Sequence, residues 1–309
     1  MNNHSPDSLA LVHLYTNYYD FKTQALRSEL EDSASPFEML SEIYGENTPQ
    51  VLDATAHSVY EWEEQSQAQL STPYDTSYPQ QFLNVWDYPL LVFRRGNLEY
   101  TNTEESNIDL GVSIVGSRNA SDWSKYFVQH LVNYLCDENI TIISGLAEGI
   151  DQTAHTTALR RRHRTVGVIG TGFGRYYPKS SRDLQIKMES GLYDSMVLSQ
   201  FLPMSAPSKI SFPMRNGVMS AYGYASIIVE ASEKSGTRHQ AAQAIKHGRA
   251  LILSEQVASE TSWGSKYADD VAIETYVVRD PYDAALAAFD VVEKVQRPSL
   301  PLSLTADTF

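Results

Sequence analysis

Between residues 111 and 178, three apolar, β-branched runs each stop at glycine: GVSIVGSRNA at 111–120, TIISGLAEGID at 141–151 and TVGVIGTGFGRYYP at 165–178. Helix-like sequence follows the first two directly. Strands that end in glycine and hand over to a helix belong to a parallel α/β sheet, where backbone N–H groups and helix N-termini gather at the carboxyl edge of the strands. The pattern predicts an anion seat at that edge, above all for phosphate.

The alternation runs on along the chain. Strands are expected at 112–116, 140–143, 165–169, 195–199, 226–229, 250–253 and 275–278, with helices near 121–136, 149–162, 181–190, 214–222, 236–247 and 281–290. Strands and helices in strict turn predict a doubly wound, mostly parallel sheet. Before it, LALVHLYTNYY, PFEMLSEIY and TPQVLDATAHSVYEWEE space apolar residues three and four apart, so 1–66 reads as a small acidic helical domain separate from the sheet. Ser35 is the expected cap before Pro36, and Asn47 or Thr48 before Pro49. The polar stretch 67–81 reads as a linker, 82–295 as the sheet domain with a short apolar strand in its WDYPLLVFRRGNLEY segment, and 296–309 as a disordered tail.

Charge divides the same way. The formal sum is −14, but residues 1–113 hold 4 Lys+Arg against 18 Asp+Glu, residues 114–250 hold 16 against 10, and residues 251–309 hold 4 against 10. The segment with the glycine loops is the basic one, and a polyanion responds to the local field. No apolar run reaches membrane-spanning length and the first residues lack a signal-peptide pattern, so a cytoplasmic protein with no membrane contact is expected. The single cysteine, Cys136, sits in a helical apolar pattern and reads as an inert thiol.

Within the loops, Ser117 and Arg118 end the first strand, where a guanidinium fork could grip phosphate. In the second, Asp151 and His155 fall one turn apart on one helix face; a helix-start carboxylate with a packed neighbour is favoured over a catalytic pair. The third combines Gly170, Gly172 and Gly174 with Arg175, Tyr176, Tyr177, Lys179 and Arg182, and SKISFPMRNG adds Lys209, Phe212 and Arg215. Cations interleaved with aromatics suit single-stranded nucleic acid, the cations tracking the backbone and the rings stacking on bases. Ser235-Gly236-Thr237 opens another helix at a glycine turn. RRRHR at 160–164 reads by default as a solvated last turn that complements the helix dipole, with DNA contact there as the alternative. No metal-ligand cluster, Walker lysine motif or paired catalytic carboxylates appear, so neither cofactor nor catalytic residue is expected, and Asp151, His155 and Glu230 are the best placed for acid-base work if there is any.

Taken in order, IVGSR, SGLA-x-GID-x-x-AH-x-x-AL, a glycine-rich segment ending in YP, FP-x-RN, and IIVEA followed by SGT resemble the DprA (Smf) family of DNA-processing proteins, over roughly 78–253. The resemblance implies an extended Rossmann-like domain that binds single-stranded DNA, protects it, forms homodimers and loads the RecA recombinase in natural transformation, without catalytic turnover. Carried over by motif, the DNA pocket holds Ser117, Arg118, Ser144, Gly145, Gly170, Gly172, Lys209, Phe212, Arg215, Asn216, Ser235, Gly236 and Thr237, to which the third loop's own chemistry adds Arg175, Tyr177 and Lys179. The family's RNR is RNG here, so Gly217 removes a cation; ARGID is AEGID, so Glu148 reverses another; and Ser254-Glu255 replaces Pro-Gly. A Gly-Ile-Gly hairpin near the start and a winged helix at the end, both common in the family, are not seen in the sequence. The alternative is a nucleotide-binding sensor or a phosphoribohydrolase-like enzyme of similar fold, but Gln240 stands where such enzymes carry the acidic residue of PGGxGTxxE, and an amide cannot exchange that proton.

Overall fold

The computed structural model describes residues 4–33, 35–97 and 109–296. Nine strands form one sheet: β1 Gln69–Ser71, β2 Val92–Gly96, β3 Gly111–Val115, β4 Thr141–Ser144, β5 Thr165–Val168, β6 Ser195–Ser199, β7 Ala225–Ile228, β8 Ala250–Ser254 and β9 Thr275–Val278. Their order is β1-β2-β6-β5-β4-β3-β7-β8-β9. The seven strands from β6 to β9 are parallel, while β2 runs antiparallel to both β6 and β1. The chain therefore winds outward from β3 in one direction and resumes from β7 in the other, which puts the topological switch point between β3 and β7.

Both faces of the sheet are covered, which is why its strands read as almost unbroken apolar runs. Helices α5 (Asp122–Asp137), α6 (Ile150–Arg160) and α12 (Pro281–Gln296) cover one face. There Phe127, Leu131, Ala154 and Ala288 pack with Val112, Ile114, Ile142 and Ile252. Residues one step along the strands, Val115, Ile143, Ile228 and Leu251, turn to the other face, with Val218, Tyr222 and Ala241. Those last three come from α8 (Ser211–Tyr222) and α9 (Thr237–Lys246). Each Leu, Ile or Phe so buried stabilises the fold by about 1.5–3 kcal/mol. The short α7 (Arg182–Glu189) precedes β6. Helices α10 (Glu255–Glu260) and α11 (Ser262–Asp269) fill the stretch between β8 and β9, for which no helix is expected from the sequence. Each of these two takes its N-cap from a hydroxyl, Ser254 to Val257 N and Thr261 to Gly264 N, in segments too short to show helical periodicity.

At the N-terminal end lie α1 (Pro6–His13), α2 (Thr23–Asp32), α3 (Pro36–Tyr44) and α4 (Thr48–Ser66). Ser35 caps α3 as expected, accepting from Glu38 N, whereas Asn47 gives α4 no side-chain cap and Thr48 donates back to the Gly45 carbonyl at 2.7 Å. These helices share a core with the sheet: Leu11, Leu14, Leu40 and Val59 pack in one cluster with Leu70 of β1, Phe93 of β2, Ile169 and Phe173. The expected linker at 67–81 is instead part of the sheet and its packing. It supplies β1, and Tyr78 is buried with its hydroxyl donating to the Pro89 carbonyl at 2.6 Å. Removing residues 1–66 would thus uncover an apolar surface rather than release an independent sheet domain. The tail expected from 296 lies, beyond Gln296, outside the described residues.

The RRRHR run is also only partly solvated. Arg164 is 1% exposed and spans Asp109 and Asp194, while the Tyr222 hydroxyl donates to Asp109 at 2.8 Å. A guanidinium this deep persists because carboxylates and carbonyls answer it, the Asn97 carbonyl among them at 2.8 Å.

His4 ties the first helix to the rest. Its Nδ1 lies 3.4 Å from Asp75 and its Nε2 3.7 Å from Glu63. Burial alone would lower its pKa, but the hydrogen bonds and charges of Asp75 and Glu63 outweigh it and raise the value to about 9. A pKa raised on folding stabilises fully below the ordinary value of 6.5 and is lost as pH climbs to about 9. Backbone amides of α1 should therefore exchange with solvent faster as pH rises through that window, after correction for intrinsic exchange. In His4→Phe the corrected rates should be raised at neutral pH and flat across it.

Candidate functional site

At the switch point the loops after β3 and β7 and the first turn of α8 enclose a cleft of about 760 Å³. Ser117, Arg118, Phe212, Arg215, Asn216, Ser235, Gly236 and Thr237 all line it. Three of the motifs thus meet at one place although 120 residues of chain separate Ser117 from Thr237, while Ser144, Gly145, Gly170, Gly172, Arg175, Tyr177, Lys179 and Lys209 do not line the cleft.

The bare backbone cradle that the glycines suggest is nevertheless filled by the protein itself. At the start of α5 the Glu230 carboxylate accepts from Ser121 N at 3.0 Å, from Ser121 Oγ at 2.7 Å and from Ser124 Oγ. Burial pushes the Glu230 carboxyl up, yet those hydrogen bonds hold it below its usual range. Ahead of α6 the buried Asp151 accepts from Gly145 N at 2.9 Å and Ala147 N at 3.3 Å; its carboxyl is raised, chiefly by burial. Ser235 Oγ accepts from Thr237 N at the start of α9. At α5 and α9 an N–H at the helix start thus already has a side-chain oxygen on it, and ahead of α6 the amides of the preceding loop do, while Ile150 N donates to the Ser117 carbonyl.

These contacts also give Asp151 and Glu230 structural work. His155 is fully buried, bonded through Nδ1 to Thr165 Oγ1 at 2.8 Å, and burial pushes its pKa down to about 3. It is no proton-transfer partner of Asp151 in a cleft that it does not line.

Arg215 is a brace, not the open phosphate grip that its motif suggests. Its guanidinium is 8% exposed as a residue and donates to the carbonyls of Gly145 and Val168, at the ends of β4 and β5, while Nε donates to Asn216 Oδ1 at 3.1 Å. Burial lowers its pKa and the nearby Asp151 charge partly restores it. Gly145 makes the room: a Cβ there would lie 1.5 Å from Arg215 Nη1. Ser144 likewise turns inward, donating to the Ile114 carbonyl at 2.6 Å.

The third loop divides. Gly172 is needed for packing, since a Cβ would sit 1.9 Å from the Leu202 carbonyl oxygen, and Arg175 Nε is bonded to the Met204 carbonyl at 3.2 Å. At Gly170 a Cβ would meet the Phe212 ring at 3.0 Å. That ring is tilted 42° against Tyr177, centroids 5.3 Å apart, and Tyr177 is exposed. Lys179 and Lys209 are exposed, but neither lines the cleft.

Arg118 is different. It is exposed, makes no ion pair or side-chain hydrogen bond among the described residues, and borders the cleft on one side and a second groove on the other. Sequence reasoning singled out Glu230 but missed the acidic wall that it forms with Glu233 and Glu260 along the cleft toward α9 and α10. Glu233 and Glu260 lie in helix-flanking polar sequence whose position beside the motifs only the fold decides. Among the described residues no cluster of His, Cys, Asp and Glu could hold a metal ion, and no helix is long and apolar enough to cross a membrane.

Fold and crevice together define a Rossmann-like protein with its binding edge at the switch point. Residues 69–274 match the model of the DNA recombination-mediator protein A family, and the chain belongs to that family. It is 34% identical over 175 residues to DNA processing protein DprA of Bacillus subtilis, covering 57% of this chain and 56% of that one. To the Streptococcus pneumoniae DprA it is 35% identical over 175 residues, 57% and 58% of the two chains. Escherichia coli protein Smf is 30% identical over 192 residues, 62% of this chain and 49% of Smf. The matches span about half the length of these relatives. The crystal structure of the pneumococcal DprA superposes with a TM-score of 0.67 at 25% identity, over 92% of this chain and 98% of that one. The Helicobacter pylori DprA, described for its single-stranded DNA binding mode, superposes at 0.59 with 23% identity, over 73% and 98%, and shares the fold.

Gly145→Ala should push Arg215 off its two carbonyls and cost on the order of 3 kcal/mol, as expected for disturbing a buried, bonded charge. Thermal or denaturant unfolding reads it directly, and Arg215→Ala should cost a similar amount.

Proposed function

We propose that this chain binds single-stranded DNA along the carboxyl edge of its parallel sheet, as a binding protein without catalytic turnover. The observation that carries this reading is Arg118: an exposed guanidinium, without an ion pair among the described residues, at the mouth of the switch-point cleft, with Tyr177 of the third loop packed on Phe212 of α8 as a stacking surface. Lys179 and Lys209 add exposed positive charge on the same loops.

The N–H groups already taken at these strand-end loops count against a mononucleotide ligand. A terminal phosphate seated at the start of α5 or on the loop ahead of α6 would have to displace Glu230 from Ser121 N or Asp151 from the amides of Gly145 and Ala147, and would meet their charge. An internal phosphodiester needs no such seat, only a cation along its path. The sensor or phosphoribohydrolase reading is further weakened by Gln240, which is buried and donates to Ser226 Oγ at 3.0 Å.

Family membership supports two finer roles: loading of the RecA recombinase onto the bound strand, measured by filament growth on DNA with and without this protein, and homodimerisation. For the dimer the outer edge supplies a surface. Strand β9 ends the sheet, and Val277, Leu286 and Phe289 are 47%, 49% and 40% exposed there. An apolar edge strand with no cover invites a partner. Val277→Lys with Leu286→Glu should lower the mass seen by light scattering to that of one chain; an unchanged mass, if dimeric, moves the interface elsewhere.

Single-stranded DNA should bind more tightly than duplex, and mononucleotides only weakly. Arg118→Ala should weaken it roughly tenfold, the worth of a charge-assisted contact, flatten the log–log salt dependence by about 0.7, and leave the melting temperature unchanged. Fluorescence anisotropy across a salt series measures all three, and equal affinity for duplex would overturn the reading.

A further inference from the structure

We infer that the bound strand does not end at the sheet edge but turns at Arg118 into the groove between α5 and α6, a second phosphate track. This deepens the single-stranded DNA reading and rests on it. The groove has a volume of about 560 Å³ and shares Arg118 and Asn119 with the cleft, so the two are continuous around that loop.

Charge sets the direction. Beyond Arg118 the cleft wall carries Glu230, Glu233 and Glu260, whereas the groove carries Lys125 and Arg160. Its one carboxylate, Glu148, is bonded to Ser180 Oγ. Arg160 is exposed with no ion pair among the described residues, and Lys125 holds only a surface contact to Asp122 at 3.5 Å, of a kind worth little against a phosphate. A polyanion leaving Arg118 is repelled toward α9 and α10 and attracted along α6.

Geometry agrees with charge. From Ile150 to Arg160 helix α6 rises about 15 Å, at 1.5 Å per residue, long enough for more than one phosphate. Between the cations the walls are uncharged donors, Gln129, Gln152 and Thr156, suited to a backbone without a fixed sequence. A last-turn arginine at 160 would complement the helix dipole in any case; that role gives no reason for the cations of two helices to border one groove.

The test uses the full chain and labelled oligothymidylates of about six and about thirty nucleotides. In Lys125→Gln/Arg160→Gln the long oligonucleotide should bind roughly tenfold more weakly, with a salt slope flatter by about 1.4, the sum for two single-strand phosphates. The short one, satisfied at the sheet edge, should bind as before. Glu148→Gln should tighten the long oligonucleotide alone. Unchanged long-strand affinity in the double variant, or an equal loss for both lengths, would overturn the second track while leaving the sheet-edge reading standing. Failure of the unaltered protein to bind either oligonucleotide would overturn that reading and the track with it.

Discussion

The carboxyl edge of a parallel sheet collects N–H groups and carbonyls that no neighbouring strand can satisfy, and this protein answers them from within. Asp151 takes the N–H groups of Gly145 and Ala147, Glu230 takes Ser121, and Arg215 takes the carbonyls of Gly145 and Val168. Left unmade, each such buried contact costs about 1–3 kcal/mol. The three side chains come from α6, the loop after β7 and α8, so the strand-end loops, and with them the cleft, hold their shape only when all of those elements are docked.

That self-satisfied edge has a functional consequence. Many doubly wound proteins leave a helix N-terminus open for a nucleotide phosphate. Here the seats are occupied, and the free positive charge is displaced to Arg118, at the rim. On the proposed reading, a rim cation with the exposed Tyr177 ring nearby suits a polymer lying across the surface better than a small ligand sunk into a pocket.

The N-terminal helices contribute in a different way. Their apolar faces close over β1, β2 and the segment after β5, so an acidic, helical stretch is tied to the basic sheet by a shared core and by the His4–Asp75–Glu63 contacts. The acidic charge is held at a fixed place on the molecule and adds to its overall field.

Much of the architecture was legible in the sequence because it is written in local periodicity. Glycine-terminated β-branched runs marked β3, β4 and β5, the alternation marked the doubly wound order, and five short motifs pointed to the family. Strand β1 was not legible: three residues carry no alternation, and Gln69–Ser71 becomes a strand only because β2 lies alongside to pair with it. The same limit applied to the site. Resemblance to the family's motifs brought Ser117, Arg118, Arg215 and Ser235 under suspicion together, but nothing local distinguishes an arginine that reaches solvent from one folded beneath a glycine. Arg118 and Arg215 differ because the tertiary structure puts two carbonyls and the empty space above Gly145 within reach of one and water within reach of the other. Residue type and spacing determined which groups could carry charge to the sheet edge; desolvation and partner geometry, which exist only once the chain has closed, decided which of them is free to meet a ligand.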